Sequence, residues 1–132
     1  CGVSPARANG PITVGATDNA DQKAEFSNWG KCVDIQAPGV DITSVGIWLD
    51  TQTMSGTSMA TPHVTGLLSY LLSLQPEVDS EFSADKLVTP SELKRRFIKF
   101  GTQRVISGLD AASPNVLAYN GAGEDLSKFW SL

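Results

Sequence analysis

Ser58 is the residue of this 132-residue chain best placed to do chemistry. It stands in the run Ser55 Gly56 Thr57 Ser58 Met59 Ala60 Thr61 Pro62 His63 Val64, where small and hydroxylic residues pass directly into an apolar helical pattern. A serine at such a helix start lies among backbone N–H groups without intrahelical acceptors, and the helix dipole adds positive potential there. A developing oxyanion would meet both, which suits acyl transfer. Gly56 leaves room for a substrate chain, and Thr57 serves either as N-cap or as a support for the donors beside the nucleophile. The same residues also read as an ordinary capped helix, since serine and threonine dominate N-caps, or as an anion site of the kind helix N-termini favour. His63, the single histidine, is excluded as the base for Ser58, because five residues further along one helix it occupies a different face, more than a turn away. Met59 reads both as core filler and as a thioether open to oxidation beside the reaction centre, so peroxide is expected to slow an assembled enzyme.

The elements that must hold this segment are legible on either side of it. Ile12 Thr13 Val14 Gly15 Ala16 is a β-branched run closed by Asp18 Asn19, and Val33 to Gly39 is a second candidate strand ended by Pro38 Gly39. Val40 to Leu49 is β-rich before Asp50 Thr51 Gln52 turns the chain towards the serine. Beyond Ser58, Val64, Leu67, Leu68, Leu71, Leu72 and Leu74 recur at helical spacing and predict a buried helix, with Pro62 tolerated in its first turn. That helix ends near Gln75 Pro76. The acidic stretch Glu77 to Val88 reads as an exposed loop. Thr89 Pro90 Ser91 Glu92 then opens a second helix as a capping box. Leu93, Phe97 and Phe100 give it an apolar face, Lys94, Arg95, Arg96 and Lys99 a solvated one, and Gly101 a stop.

A hydrophobic content of 41% with 18% charged residues is ordinary globular composition, and a net charge of −4 carries no electrostatic footprint for nucleic acid. Val64 to Leu74 is too short and too interrupted by polar residues for a membrane span of about 20 residues. The acidic residues Asp18, Asp21 and Glu25 read as a solvated loop. Asp34 falls in an otherwise apolar stretch, where a carboxylate needs a partner: loop N–H groups satisfy it, or a metal ion does. Cys1 and Cys32 admit one bridge or two free thiols, and spacing does not decide between them.

The run Gly56 to Val64 resembles the nucleophile motif of the subtilisin-like serine proteases, in the branch that includes proteinase K. Ile12 to Thr17, Phe26 to Gly30 and Val33 to Gly39 resemble core strands and an intervening loop of that fold in the same order, while the wording of Val45 to Trp48 departs from the usual pattern. Asn115 to Gly121 resembles its final strand, and Glu124 to Trp130 the C-terminus of fungal vacuolar members, several of which are allergens. The resemblance implies an α/β fold, the C-terminal half of a subtilisin-like domain over residues 1–132 without internal boundary. Its parallel strands would carry a buried nucleophile-bearing helix and a second, amphipathic helix.

For the site, the resemblance implies that Ser58 is the catalytic serine of an endopeptidase of broad specificity acting through an acyl-enzyme on peptides or proteins. Its N–H forms one half of the oxyanion hole, and Thr57 supports that hole. Gly56 and Met59 lie close to substrate, and His63 matches a structural histidine. The triad aspartate and histidine and the second oxyanion donor, an asparagine, are expected upstream of Cys1, so the chain alone is expected to be inactive. A disulfide between Cys1 and Cys32 is implied, and with it an oxidising compartment, the vacuolar lumen or outside the cell. No cofactor is required, but Asp34 is implied as ligand to a structural calcium ion together with backbone carbonyls around Asn9 and Pro11. Half a parallel sheet exposes an edge, so the missing half-domain or self-association is an expected partner. A noncatalytic antigenic fragment, bound by antibody (IgE) through exposed segments such as Glu77 to Val88, is the alternative.

Overall fold

The computed structural model describes residues 1–75 and 88–132, so the acidic stretch expected to be an exposed loop lies almost wholly outside the described residues. The first two predicted strands form, each trimmed at its start: β1 is Val14–Thr17 and β2 is Ile35–Pro38. They pair parallel, Val14 beside Ile35 and Thr17 beside Pro38. Parallel pairing requires a long crossover, which the seventeen-residue connection between them supplies.

Ile42–Val45 (β3) and Thr51–Met54 (β4) make a separate antiparallel hairpin, with Thr43 and Thr53 hydroxyls hydrogen-bonded across it at 2.8 Å. Its far end carries Trp48 at 92% exposure and Ile47 at 86%. Thr57–Ser73 (α1) follows and packs on β1 and β2. The expectation of a buried helix holds along one stripe, Ala60, Val64 and Leu71, with Leu67 and Leu68 partly covered; Tyr70, Leu72 and Leu74 remain open to solvent because no described element lies over that face.

Pro90–Phe100 (α2) begins as the sequence predicts, with the Glu92 N–H donating to Thr89 Oγ1 at 3.2 Å and Gly101 at its end. The capping box is completed on one side only. Glu92 turns its carboxylate to Arg95 and Arg96, two charged donors that outcompete a backbone N–H. These contacts lower the Glu92 pKa from 4.5 to about 2, the Arg95 hydrogen bond contributing most and the Arg96 hydrogen bond next.

Thr102–Gln103 (β5) and Val116–Leu117 (β6) pair antiparallel and complete a four-stranded sheet in the order β1-β2-β6-β5. The tail forms a short helix, Ser127–Trp130 (α3), which seats Phe129 beside α2, edge-on to Phe100 with ring centroids 5.5 Å apart. Arg96 lies over the Trp130 ring and donates to the Trp130 carbonyl. The basic face expected to be solvated is therefore divided: Arg96 and Lys94 are drawn into the fold, and Arg95 and Lys99 stay outside. Cys1 and Cys32 are bridged, with Cα atoms 5.4 Å apart, tying the start of the chain to the segment before β2.

Candidate active site

Ser58 is the second residue of α1, and its position is fixed from behind. Gly39, at the end of β2, accepts the Gly56 N–H at 2.7 Å, so the strand terminus and the helix start share a hydrogen bond. A Cβ on Gly39 would lie 2.7 Å from Ala16 Cβ, 2.8 Å from the Gly56 carbonyl oxygen and 3.3 Å from Ala60 Cβ, so only glycine permits α1 to come this close to β1. On the other side Ser55 Oγ accepts the Asp41 N–H at 2.8 Å and donates to Asp41 Oδ1 at 3.3 Å, closing the base of the β3–β4 hairpin against the residues before the helix.

Within the first turn, Gly56 is the N-cap and no side chain caps the helix. This corrects one of the two roles expected of Thr57, which is the first helical residue and presents its carbonyl to the Thr61 hydroxyl at 2.9 Å. The Gly56 carbonyl accepts from the Met59 N–H at 3.0 Å and the Ala60 N–H at 3.3 Å. The Ser58 N–H is left without an acceptor among the described residues, and so is the exposed Ser58 hydroxyl. A hydroxyl oxygen and an unpaired donor thus sit on one residue at the positive end of a seventeen-residue helix.

Ser58 and Met59 form part of one cleft with Pro62, His63, Gln52 and Met54. Thr57 borders a different cleft, together with Asn28, Trp29 and the Cys1–Cys32 bridge. His63 Nδ1 donates to the Met59 carbonyl at 2.8 Å, a bond to its own helix one turn back that fixes the tautomer, and among the described residues it makes no hydrogen bond to Ser58. Among the described residues no acid–base pair for the serine is assembled: the arrangement offers an exposed hydroxyl and one unpaired backbone donor beside it.

Asp34 lies just before β2 rather than inside it, and its surroundings differ from those expected for calcium. Asp34 Oδ2 accepts the Thr13 N–H at 2.8 Å and Lys94 Nζ at 2.9 Å. Lys94 Nζ also donates to the Pro11 carbonyl at 2.7 Å and the Asn9 carbonyl at 3.2 Å. The oxygen set named from the sequence is thus brought together, and an ammonium group stands among it. Among the described residues no cluster of three or more His, Cys, Asp or Glu side chains forms a metal site.

Three roles escaped the sequence reading. Gly39 was legible only as a strand stop, the Asp41–Ser55 clasp joins residues without local signature, and Lys94 matched the pattern of a solvated helix face. Each depends on a contact with a segment distant along the chain.

The profile of the subtilase family matches residues 2–119. The chain is 54% identical to Subtilisin-like serine protease Rho m 2.0101 of Rhodotorula mucilaginosa over 98% of its own length and 39% of the relative's. It is also 54% identical to Cerevisin of Saccharomyces cerevisiae, over 99% of this chain and 21% of that one. Among solved structures it superposes on a cold adapted subtilisin-like serine proteinase with a TM-score of 0.77 and 36% identity, covering 89% of this chain and 39% of the other. The chain thus spans well under half the length of the proteins it matches.

Proposed function

Because the chain belongs to the subtilase family, we propose that it is the nucleophile-bearing portion of a serine endopeptidase, with residues 1–132 forming one part of a single catalytic domain. The relatives it matches are subtilisin-like serine proteases. The observation that carries the reading is the first turn of α1, where an exposed Ser58 hydroxyl and an unpaired Ser58 N–H stand together above a helix docked on β1 and β2. In this reading Ser58 Oγ attacks the scissile carbonyl of a peptide or protein as a base removes its proton. The carbonyl oxygen becomes an oxyanion facing the Ser58 N–H, and collapse expels the amine to leave an acyl-enzyme that water hydrolyses. Thr57 supports the oxyanion side, and Gly56 and Met59 lie along the substrate path. The chemistry needs no cofactor, since nucleophile, base and donors are all protein groups.

His63 is not that base, being held to the Met59 carbonyl. The base, its carboxylate partner and the asparagine that completes the oxyanion hole come from residues outside this chain, and the chain alone is inactive. Its partner is the remainder of the catalytic domain, a reading favoured by the uncovered side of α1 and by the length of the relatives. A lumenal vacuolar or extracellular location accords with the Cys1–Cys32 bridge.

Co-expression with the complementary portion of Rho m 2.0101 tests the reading. The reconstituted pair is expected to be labelled by a fluorophosphonate at Ser58, with labelling lost in Ser58→Ala and absent from the chain alone. A pair that associates stoichiometrically but is never labelled would refute Ser58 as nucleophile. Peptide-ester turnover by the chain alone, abolished by Ser58→Ala, would refute its dependence on a partner.

A further inference from the structure

We propose that Lys94 is a built-in cation: its ammonium group occupies an oxygen cradle suited to a metal ion, and so makes this part of the fold independent of calcium. Three oxygens converge on Lys94 Nζ, from Pro11 at 2.7 Å, Asp34 at 2.9 Å and Asn9 at 3.2 Å. An ammonium group has three N–H donors, so acceptors and donors match in number.

The cradle does not admit a divalent ion beside this group. Calcium takes six to eight oxygens at about 2.3–2.6 Å, and an ion centred among these three oxygens would coincide with Nζ. Charge points the same way. The only ionic member of the cradle is the single Asp34 carboxylate, which one ammonium neutralises, whereas a divalent ion would leave a net positive charge at a site where Lys94 and Asp34 side chains are only 17% and 23% exposed. Position in the helix supplies no competing reason for the lysine, because a cation towards the N-terminal end of α2 gains nothing from the macrodipole.

The contact joins three segments far apart in sequence. Lys94 lies 83 and 85 residues from the two carbonyls and 60 from Asp34. It thereby pins α2 to the stretch before β1 and to the start of β2, the strand whose far end positions α1 through Gly39. A covalently tethered cation performs this cross-linking at any calcium concentration.

Thermal unfolding of the chain with millimolar calcium and with excess EDTA provides the test. The wild-type midpoint is expected to be the same in both. Lys94→Ala is expected to melt lower in EDTA and to rise again with calcium, and the rise should vanish when Asp34→Asn is added. A wild-type midpoint raised by calcium and insensitive to it in Asp34→Asn would overturn the proposal, as would a folded Lys94→Ala that calcium leaves unmoved. A measurement without substitution covers the case in which the variant does not fold: amine acetylation of the native chain, read by mass spectrometry. Lys94 should be protected relative to Lys99 and become equally reactive in urea, and equal reactivity in the native chain would overturn the assignment.

Discussion

Substituting alanine at two glycines of this chain should shift stability in opposite directions, and the pair isolates what holds the candidate nucleophile in place. At Gly39 the added methyl meets Ala16 Cβ at 2.7 Å, the Gly56 carbonyl oxygen at 2.8 Å and Ala60 Cβ at 3.3 Å. None of these atoms is the far end of a flexible side chain, and Ala16 and Ala60 are both fully buried, so no rotamer change relieves the overlap. The helix start must instead move away from the sheet. Overpacking of this kind costs about 1–3 kcal/mol. For a domain of this size that corresponds to a melting point lowered by roughly 4–12 °C. At Gly66, in the interior of α1, a new Cβ meets nothing within 4 Å. There the gain in helix propensity is about 0.5–1 kcal/mol and should raise the melting point by a few degrees. Thermal unfolding by circular dichroism on the two single variants reads both effects. Because the Gly39 carbonyl also holds the Gly56 N–H, two residues before Ser58, the reconstituted pair carrying Gly39→Ala should in addition be labelled more slowly by a fluorophosphonate. A Gly39→Ala variant as stable as wild type and labelled at the same rate would refute the close-approach argument.

Two further outcomes concern the periphery of the fold. The Cys1–Cys32 bridge spans 31 residues, and replacing both cysteines with serine should lower unfolding free energy by about 3–4 kcal/mol on chain-entropy grounds, seen as a lower urea midpoint; an unchanged midpoint would contradict the estimate. Glu92 has a pKa lowered to about 2 in the folded chain by Arg95 and then Arg96, so the stability it contributes is full above its unperturbed value of 4.5 and is lost as pH falls through the folded one. Urea unfolding of wild type and Glu92→Gln should therefore differ near neutral pH and converge towards pH 2. A difference that stays constant across that range would show that the ion pairs do not carry it.

The sequence by itself determined what is local. The first two strands, the start of α2 at Thr89 and Pro90, and the apolar face of Leu93, Phe97 and Phe100 follow from periodicity and from turn and cap chemistry, which act over a few residues. The turn expected at Asp50 Thr51 Gln52 instead falls earlier, since Thr51 and Gln52 pair in β4, and the two-residue β5 is set by its pairing with β6. The position of Ser58 at a helix start was legible for the same reason, and so was the separation of His63 from it, since helical geometry alone sets that separation. The bridge between Cys1 and Cys32 followed from family resemblance, because spacing left it open.

Only the tertiary structure decided how charges and close contacts are shared between distant segments. Lys94 follows the pattern of a surface lysine, and nothing within a turn of it announces that Asn9, Pro11 and Asp34 will surround its ammonium group. Thr57 looks like a cap until the first turn places Gly56 in that role. Gly39 ends a strand in the sequence, and in the fold it is the gap through which α1 reaches the sheet. The physical reason is common to all three. Backbone propensity is a property of neighbours along the chain, whereas the partner of a buried charge or the space beside a Cα depends on which elements pack together.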